Sequence, residues 1–408
     1  MKKIIAMLLC LLMAMSLTAC GNKEEAPVAD DAASFKIGIV TGSVTQSEDD
    51  RRGAEAFQAK YGEDRVVLAT YPDNFGEELE TTIQSIVNLA DDEAVKAIVV
   101  NQGVPGTNEA FRQIREKRGN DIYLLAGEDH DFPDTLETSD VTVNNDFVAR
   151  GYLMIKTAHD LGCDTFVHIS FARHLSYYSM ARRIACMQEA CNEFGMTFVS
   201  ETAPDPTDTS SGGSTGAVAY VQENVPLWVE KYGQNAAFFC TNDAHTEPLL
   251  AGLLKNGGYF IEADLPSPLM GYPGALGLDL TQEAGDFDAI LKKVEAAVVE
   301  AGGEGRFGTW ACSYGYTLSY GLAQHAWNVL SGESELQNMK DIAAAFAEAS
   351  GIKWSGSGYV DEATGVKADN GFLVYQDTYI MGKGFMGVTD VEVPEKYFTL
   401  TPVYLANN

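Results

Sequence analysis

The chain has 408 residues, of which 46% are hydrophobic and 21% charged, a composition typical of a globular protein long enough for two domains. Its 58 acidic and 28 basic residues give a formal net charge of −30, which repels nucleic acid and anionic lipid headgroups. We therefore expect no nucleic-acid partner, and any association with a membrane must come from an attached lipid.

The N-terminal residues have the pattern of a secretory signal. Lys2 and Lys3 precede an uncharged apolar stretch that is too short to span a bilayer, and small residues follow it. Residues 17–20, Leu-Thr-Ala-Cys, resemble the bacterial lipobox, in which cleavage leaves the cysteine as a lipidated N-terminus. This predicts a signal peptide at residues 1–19 and lipidation of Cys20. An ordinary secretory peptide with an incidental cysteine is the alternative.

Residues 20–34 contain proline, alanine and acids with too little apolar surface to fold, which predicts a flexible tether. The sequence thus predicts an extracytoplasmic lipoprotein, held at the cell membrane by its lipid alone. Of the seven cysteines, Cys10 leaves with the signal and Cys20 takes the lipid. The other five show no zinc-type spacing and are expected to be small buried residues, although one disulfide among them stays open.

From residue 35 the chain alternates short apolar segments with longer amphipathic segments. Segments this apolar are typical of parallel strands that helices cover on both faces. The predicted strands are 35–42, 66–72, 94–101, 122–128 and 141–146, and the predicted helices are 47–61, 79–89 and 108–117.

The same alternation restarts at residue 147. Here the predicted helices are 147–161, 179–194, 218–232 and 245–256, and the predicted strands are 165–171, 196–203, 236–243 and 268–274. Two consecutive units of this kind predict an α/β fold with two doubly wound parallel-sheet lobes joined by a hinge. Ligands bind beyond the carboxyl ends of parallel strands, so two facing lobes define one cleft.

Three segments carry a resemblance to the type I periplasmic solute-binding proteins. Residues 240–258 resemble the Asn-Asp-x-x-Ala-x-Gly stretch of the ribose-binding group. Residues 166–191 are similar to the second-lobe strand and helix that supply an arginine to the ligand, and residues 41–57 to the opening of the nucleoside-binding basic membrane lipoproteins. The chain is identified as a member of a little-described lipoprotein family within that superfamily. The resemblance covers residues 35 to about 330.

Two departures from the pattern concern the ligand. Tyr272 replaces the aspartate of the Gly-x-Asp turn, and Val44 and Thr45 replace the phenylalanine and acid that precede Gln-Ser in the nucleoside binders. Neither a pentose nor a nucleoside is therefore assigned.

The resemblance also implies how the lobes divide the chain. Lobe 1 is expected to contain residues 35–146 and about 313–408, and lobe 2 residues 147–312. Residues 144–146 are expected to form the first hinge crossing, because Asn and Asp tolerate large changes in φ and ψ, and residues 307–313 the second. Residues 331–408 are not placed.

Polar side chains at the predicted strand ends are the candidate ligand contacts, because a polar solute needs paired donors and acceptors, a guanidinium and an aromatic face. For Ser43 and Asn242, helix capping is an equal alternative. For Arg182 ligand contact is favoured over a solvated position. The candidates are Ser43, Gln46, Asn101, Gln102, Glu128, Asp129, Asn145, Arg173, Tyr177, Arg182, Asn242, Asp243 and Tyr272.

These features predict a binding protein that captures a sugar-, nucleoside- or amino-acid-like molecule for an ABC importer. It is expected to be a monomer, to hold no cofactor and to be no enzyme. A lipoprotein that senses its ligand for a membrane receptor is one alternative, and a cleft hydrolase, for which no nucleophile–base arrangement is found, is another. Residues 128–131 and 242–247 group histidine with carboxylates, but no third distant ligand is identified, so no metal is expected.

Overall fold

The computed structural model describes residues 35–361 and 366–405, without the side chains of Thr45 and Gln46. The predicted signal peptide, the tether and the lipidation site at Cys20 lie outside the described residues. Within those residues, no helix combines the length and the apolarity that crossing a membrane requires.

Strands and helices alternate along most of the chain. The strands are β1 Lys36–Thr41, β2 Val66–Thr70, β3 Val95–Asn101, β4 Tyr123–Gly127, β5 Val141–Asn145, β6 Thr165–Ser170, β7 Thr197–Thr202, β8 Ala236–Cys240, β9 Gly308–Trp310, β10 Trp354–Val360, β11 Lys367–Gln376, β12 Thr378–Ile380 and β13 Gly384–Phe385. The helices are α1 Val44–Tyr61, α2 Leu79–Val87, α3 Thr107–Arg118, α4 Phe147–Asp160, α5 Ala172–Leu175, α6 Tyr178–Phe194, α7 Gly213–Tyr232, α8 Asp243–Asn256, α9 Tyr272–Leu276, α10 Phe287–Glu300, α11 Tyr314–Leu330 and α12 Met339–Ser350.

The first lobe is built on a seven-stranded sheet in the order β10-β11-β5-β4-β3-β1-β2. All neighbouring strands are parallel except the edge pair β10 and β11. Helices α1 and α11 pack on one face, where Phe57 and Leu318 meet Ile39, and α2 and α3 cover the other face. This arrangement confirms the predicted α/β class, and it explains why the strands are apolar on both faces.

Residues 339–376, part of the C-terminal segment that the sequence analysis could not place, complete the first lobe. Residues 371–374 of β11 pair in parallel with residues 142–145 of β5, and β10 turns back along β11. Helix α12 packs Phe346 against Trp354, with ring centroids 5.3 Å apart. Strands from the end of the chain thus extend the sheet that its beginning starts.

The second lobe has three parallel strands in the order β7-β6-β8. Single bridges continue this sheet from Ala237 to Tyr259 and from Phe260 to Phe307. The strand predicted at residues 268–274 is wrong. Pro273 stands in the first turn of helix α9, where its fixed φ favours a helix start.

Three chain crossings connect the lobes. The first follows β5 and the second lies between β9 and α11. The third, between β11 and β12, was not foreseen. At this point β12 pairs antiparallel with β9, which places Thr378 opposite Trp310. Trp310, which is fully buried, belongs to one apolar cluster with residues of both lobes.

Candidate functional site

A cavity of about 570 Å³ lies at the carboxyl ends of β1, β3 and β4, where the first lobe faces a loop of the second. This is the position at which parallel sheets bind ligands. The lining residues are Ser47, Glu48, Asp49, Asp50, Asn101, Gln102, Glu128, His130, Leu265, Pro266, Ser267, Leu269, Met270, Ser313, Tyr314, Gly315 and Leu318.

Helix α1 brings two adjacent carboxylates into this cavity. The helix is interrupted at Ser47, whose φ of −147° and ψ of 66° are not helical. Asp49 and Asp50 therefore lie in the first turn of the helical segment that follows this kink. Asp50 is 4% exposed and packs against Gly315 of α11, where a side chain would overlap its Oδ1. The carboxylate of Asp50 is therefore held against the backbone of a neighbouring helix.

The end of β3 contributes two amides with different bonding. Asn101 is fully buried, and its Nδ2 donates to Gly315 O at 3.0 Å and to Ser319 Oγ at 2.8 Å. Gln102 Nε2 lies 3.4 Å from Asp50 Oδ2, while His130 Nε2 donates to Gln102 Oε1 at 3.0 Å. Amide donors at this wall are thus engaged within the protein.

Glu128 enters the cavity from the end of β4 with an unusual backbone. Its φ of 41° lies in the left-handed region, which non-glycine residues rarely adopt outside functional or tightly supported sites. The following residue supports it, because Asp129 N donates to Asn144 Oδ1 and Asn144 Nδ2 donates to Asp129 O, each at 3.1 Å. Asn144, predicted as a hinge residue, therefore fixes the loop that aims Glu128.

The carboxylates of the cavity are only partly neutralised, since Arg52 Nη2 lies 3.4 Å from Glu48 Oε1 at the rim and Arg150 acts on Glu128 from outside the lining. Burial, followed by the charge of Asp49, raises the pKa of Asp50 to about 7. Burial also raises the pKa values of Asp49 and Glu128. The lining residues of the described chain include Glu48 and these three acids, with no Lys or Arg. Ionisation of all these groups is unfavourable without a positive partner.

Replacing Asp50 with asparagine tests this electrostatic strain through the pH dependence of stability. The folded-state pKa of Asp50, about 7, exceeds the ordinary value of 3.8, so its favourable contribution is complete below pH 4 and is lost as pH rises through 7. Asparagine does not titrate. We expect the free energy of unfolding of Asp50→Asn, relative to that of the parent, to be higher at pH 8 than at pH 5 by at least about 1.4 kcal/mol. This is the free energy that corresponds to one pKa unit. Urea unfolding of both proteins at the two pH values measures this, and a difference that does not change with pH would contradict it.

Three of the predicted first-lobe contacts line the cavity, namely Asn101, Gln102 and Glu128. Ser43 lies outside it and donates to Asp73 Oδ1 at 2.6 Å, without capping α1. The side chain of Gln46 lies outside the described residues, so its predicted contact stays a prediction.

The structure does not bring Asp129 or Asn145 to the cavity. Asp129 is 5% exposed and packs against Gly103, and burial raises its pKa to about 7. Asn145 is 3% exposed, and its Oδ1 accepts from Arg150 Nη1 at 3.1 Å. Both side chains are buried away from the cavity lining, so their predicted contact with a ligand stays a prediction that this cavity does not support.

The predicted second-lobe contacts also lie outside the cavity lining. Arg173 forms a two-pronged ion pair with Asp205, at 2.8 and 3.0 Å, and donates to the hydroxyl of Tyr177 at 3.0 Å. Asn242 caps α8 by accepting from Ala244 N, which is the capping alternative. Asp243 follows it in the first turn, and burial raises its pKa to about 6.

Two of the predicted contacts have structural roles instead. Tyr272 is 1% exposed in the core of the second lobe, and its hydroxyl donates to Gly308 O at 2.7 Å. Arg182 Nη2 donates to Phe398 O at 2.7 Å, so it ties α6 to the C-terminal segment. Neither side chain lines the cavity, so the contact with a ligand that was predicted for each of them stays a prediction.

The sequence analysis did not identify Asp49, Asp50, His130 and Tyr314 as lining residues, nor the loop at residues 265–270. The two aspartates stand in a predicted helix and resemble an ordinary solvated face. The two aspartates stand in the first turns of the helix after β1, and such turns lie beside the carboxyl end of the strand. This position could have indicated that they line the cavity. Tyr314 opens a helix that follows the second crossing, and no local pattern marks it.

A buried polar network joins all three crossings. Glu262, which is 2% exposed, accepts from Arg150 Nε at 2.9 Å, from Trp310 Nε1 at 3.1 Å and from Thr378 Oγ1 at 3.3 Å. Gln376 Oε1 accepts from the backbone N–H groups of residues 311 and 312. Each crossing thus supplies a partner to the same network.

Other candidate sites are weaker. A groove of about 350 Å³ lies at the sheet edge between β10, β11 and residues 133–137. Across residues 35–361 and 366–405, no three His, Cys, Asp or Glu side chains are grouped to hold a metal ion. The five cysteines there are buried and free, so none of them forms a disulfide.

Comparisons with known proteins match the chain over most of its length. A family model described as a protein of unknown function (DUF3798) matches residues 35–308, and a second family model matches residues 319–400. A Treponema pallidum (strain Nichols) protein described as uncharacterized is 39% identical over 218 residues, which cover 53% of this chain and 97% of that protein.

Solved structures share the fold. The crystal structure of a putative transcriptional regulator from Clostridium difficile 630 is 22% identical, covers 85% of this chain and 99% of that chain, and has a TM-score of 0.77. An ABC transporter periplasmic solute-binding protein from Actinobacillus succinogenes 130z with bound D-allose is 14% identical, covers 74% and 93% of the two chains, and has a TM-score of 0.46. The first of these two likenesses shows a shared fold.

Proposed function

Because this chain belongs to the DUF3798 family, a family of unknown function, we propose its function from its cavity. It is an extracytoplasmic solute-binding lipoprotein that captures a small polar molecule between two lobes. One observation carries this proposal: a polar cavity of about 570 Å³ opens between strand ends of the first lobe and residues 265–270 of the second. Its volume is in the range that encloses a metabolite-sized molecule.

Capture works by closure of the lobes around the solute. A molecule that contacts both walls stabilises the closed form by the difference between its affinities for the closed and open forms. The three crossings are the segments about which the lobes can rotate, and the network around Glu262 keeps them joined during that rotation.

The partner that follows from the resemblance is an ABC permease. In type I binding proteins the closed form delivers the solute to such a permease, and a lipid on Cys20 would hold this protein beside it. The acidic cavity and the crossings support solute capture. Delivery to a permease rests on the resemblance alone.

Identification of a co-purified solute tests capture. The full chain is produced in a bacterium, extracted with mild detergent and denatured, and released small molecules are identified by mass spectrometry. The identified compound, added to refolded protein at one hundred times its dissociation constant, is expected to stabilise the fold by about 2.7 kcal/mol. It should also reduce the radius of gyration measured by small-angle X-ray scattering.

Asn101→Ala provides the site-specific comparison, because it removes a lining side chain of the cavity. We expect it to abolish both effects of the compound, while Asn192→Ala, at an exposed position of α6, leaves them intact. If the scattering profile is the same with and without the bound compound, closure is refuted and a rigid protein is indicated.

A further inference from the structure

We propose that the solute captured in this cavity is a small organic cation, recognised through an ammonium or guanidinium group. This inference rests on the proposed function and names the class of its ligand. It follows from the charges of the two walls, from the bonding state of their polar atoms and from the size of the cavity.

The charged lining of the cavity is acidic on the first-lobe side. Glu48, Asp49, Asp50 and Glu128 line it, and the described lining contains no Lys or Arg. Two charges outside the lining act on Glu128 in opposite directions, since Arg150 lowers its pKa and Asp264 raises it. A cavity with this potential concentrates cations and repels anions.

Nearby arginines offset this charge only in part. Arg52 Nη2 lies 3.4 Å from Glu48 Oε1, and carboxylates elsewhere engage the other arginines. Arg150 is 1% exposed and its Nε lies 2.9 Å from Glu262 Oε1. Arg183 is fully buried with Nη2 2.6 Å from Asp264 Oδ1, and Arg173 pairs with Asp205. The donors of Arg150 and Arg173 are engaged within the protein and do not serve an incoming anion. Nε and Nη1 of Arg183 have no partner among the described residues, but this side chain is fully buried and does not line the cavity.

Free polar atoms at the wall are mainly acceptors. Asn101 is 0% exposed, its Nδ2 is engaged by Gly315 and Ser319, and its Oδ1 has no hydrogen-bond partner among the described residues. Glu128 Oε2 is buried in the same state. The hydroxyl of Tyr314 lies beside the Glu128 carboxyl and acts on it as a hydrogen-bond donor, which lowers the pKa of Glu128 against the effect of burial. Ammonium and guanidinium groups donate without accepting, so they complement this set.

The pKa shifts of the lining carboxylates fit a cationic ligand. Burial raises the pKa values of Asp50, to about 7, and of Glu128. A cation placed between them would lower both pKa values and restore the ionised forms. The cost of burying these carboxylates would then be offset by the charge of the ligand.

A metal ion fits less well than an organic cation. No group of three or more His, Cys, Asp or Glu within the described ranges is arranged to hold one, and the carboxylates line a space of about 570 Å³ instead of converging on a point. Leu265, Leu269 and Met270 form an apolar part of the wall, which suits the carbon skeleton of an organic ligand.

Equilibrium dialysis against a defined mixture tests the charge of the ligand. The full chain, freed of bound solute, is dialysed against equimolar 1,4-diaminobutane, spermidine, arginine, choline, ribose, glucose, inosine, succinate and calcium ion. Retained compounds are quantified by mass spectrometry, and calcium by atomic absorption. We expect one or more of the organic cations to be retained, and the double variant Asp50→Asn/Glu128→Gln to bind it at least tenfold more weakly.

A control variant separates local from overall charge. The double variant Asp121→Asn/Glu348→Gln also removes two negative charges, but at exposed positions away from the cavity. It is expected to retain the cation as the parent does. Retention of ribose, glucose, inosine or succinate alone would overturn the cation assignment and leave solute capture standing. Retention of calcium alone, or equal retention of the cation by the cavity variant, would also overturn it. If nothing is retained and no solute co-purifies from cells, both proposals fail.

Discussion

Replacing Glu262 with alanine is expected to lower the free energy of unfolding by about 3–5 kcal/mol, the usual cost of removing one partner from a buried ion pair. Arg150 is 1% exposed and would keep its charge in the protein interior without the carboxylate that faces it. Trp310 Nε1 and Thr378 Oγ1 would lose their acceptor in the same step. Because these donors come from three different crossings, the loss weakens every connection between the lobes. Chemical unfolding monitored by tryptophan fluorescence measures the effect.

The ion pair of Lys60 with Glu348 is the matched control. Its side chains are 38% and 46% exposed, so Glu348→Ala should change the free energy of unfolding by less than about 1 kcal/mol. Glu262→Gln should fall between the two, since it keeps an acceptor oxygen but loses the charge. A loss below about 1 kcal/mol for Glu262→Ala would mean that the network does not hold the crossings together.

Gly53→Ala is expected to destabilise the fold by about 2–3 kcal/mol through overpacking between two helices. A methyl group at Gly53 of α1 would overlap the carbonyl oxygen of Tyr316 in α11 and lie 3.0 Å from its Cα atom. Both atoms belong to a helix backbone, so neither can move aside as a flexible side chain would. The cost should exceed the helix propensity gain of alanine, about 1 kcal/mol.

The comparison for this variant is Gly76→Ala, since nothing lies within 4 Å of a side chain at Gly76. Gly76→Ala is expected to change the free energy of unfolding by no more than about 0.5 kcal/mol. Because α1 carries Asp50 against α11, Gly53→Ala should also weaken solute binding in the cavity. A Gly53→Ala protein as stable as the parent would show that the two helices can separate without cost.

Local patterns determined most of the strands and helices up to residue 256. Apolar segments such as residues 94–101 and 236–243 predict buried parallel strands because their periodicity and length are properties of the segment itself. The same patterns place Asn101, Gln102 and Glu128 at strand ends, where the geometry of a parallel sheet brings them together. These residues required no knowledge of distant contacts.

Long-range packing decided the remainder. Residues 371–374 become part of the first sheet only because β5 offers them an open edge, and no local signal encodes that edge. The side chain of Tyr272 could line a cleft or fill a core, and the sequence does not distinguish the two. In the structure its hydroxyl donates to Gly308 O in the core of the second lobe. In the sequence, Asp50 resembles an exposed acid of a helix. It is buried because Gly315, far along the chain, has no side chain and allows α11 to pack against it. The sequence therefore determined which segments fold and where strand ends meet, whereas burial from distant residues decided which polar side chains face the cavity.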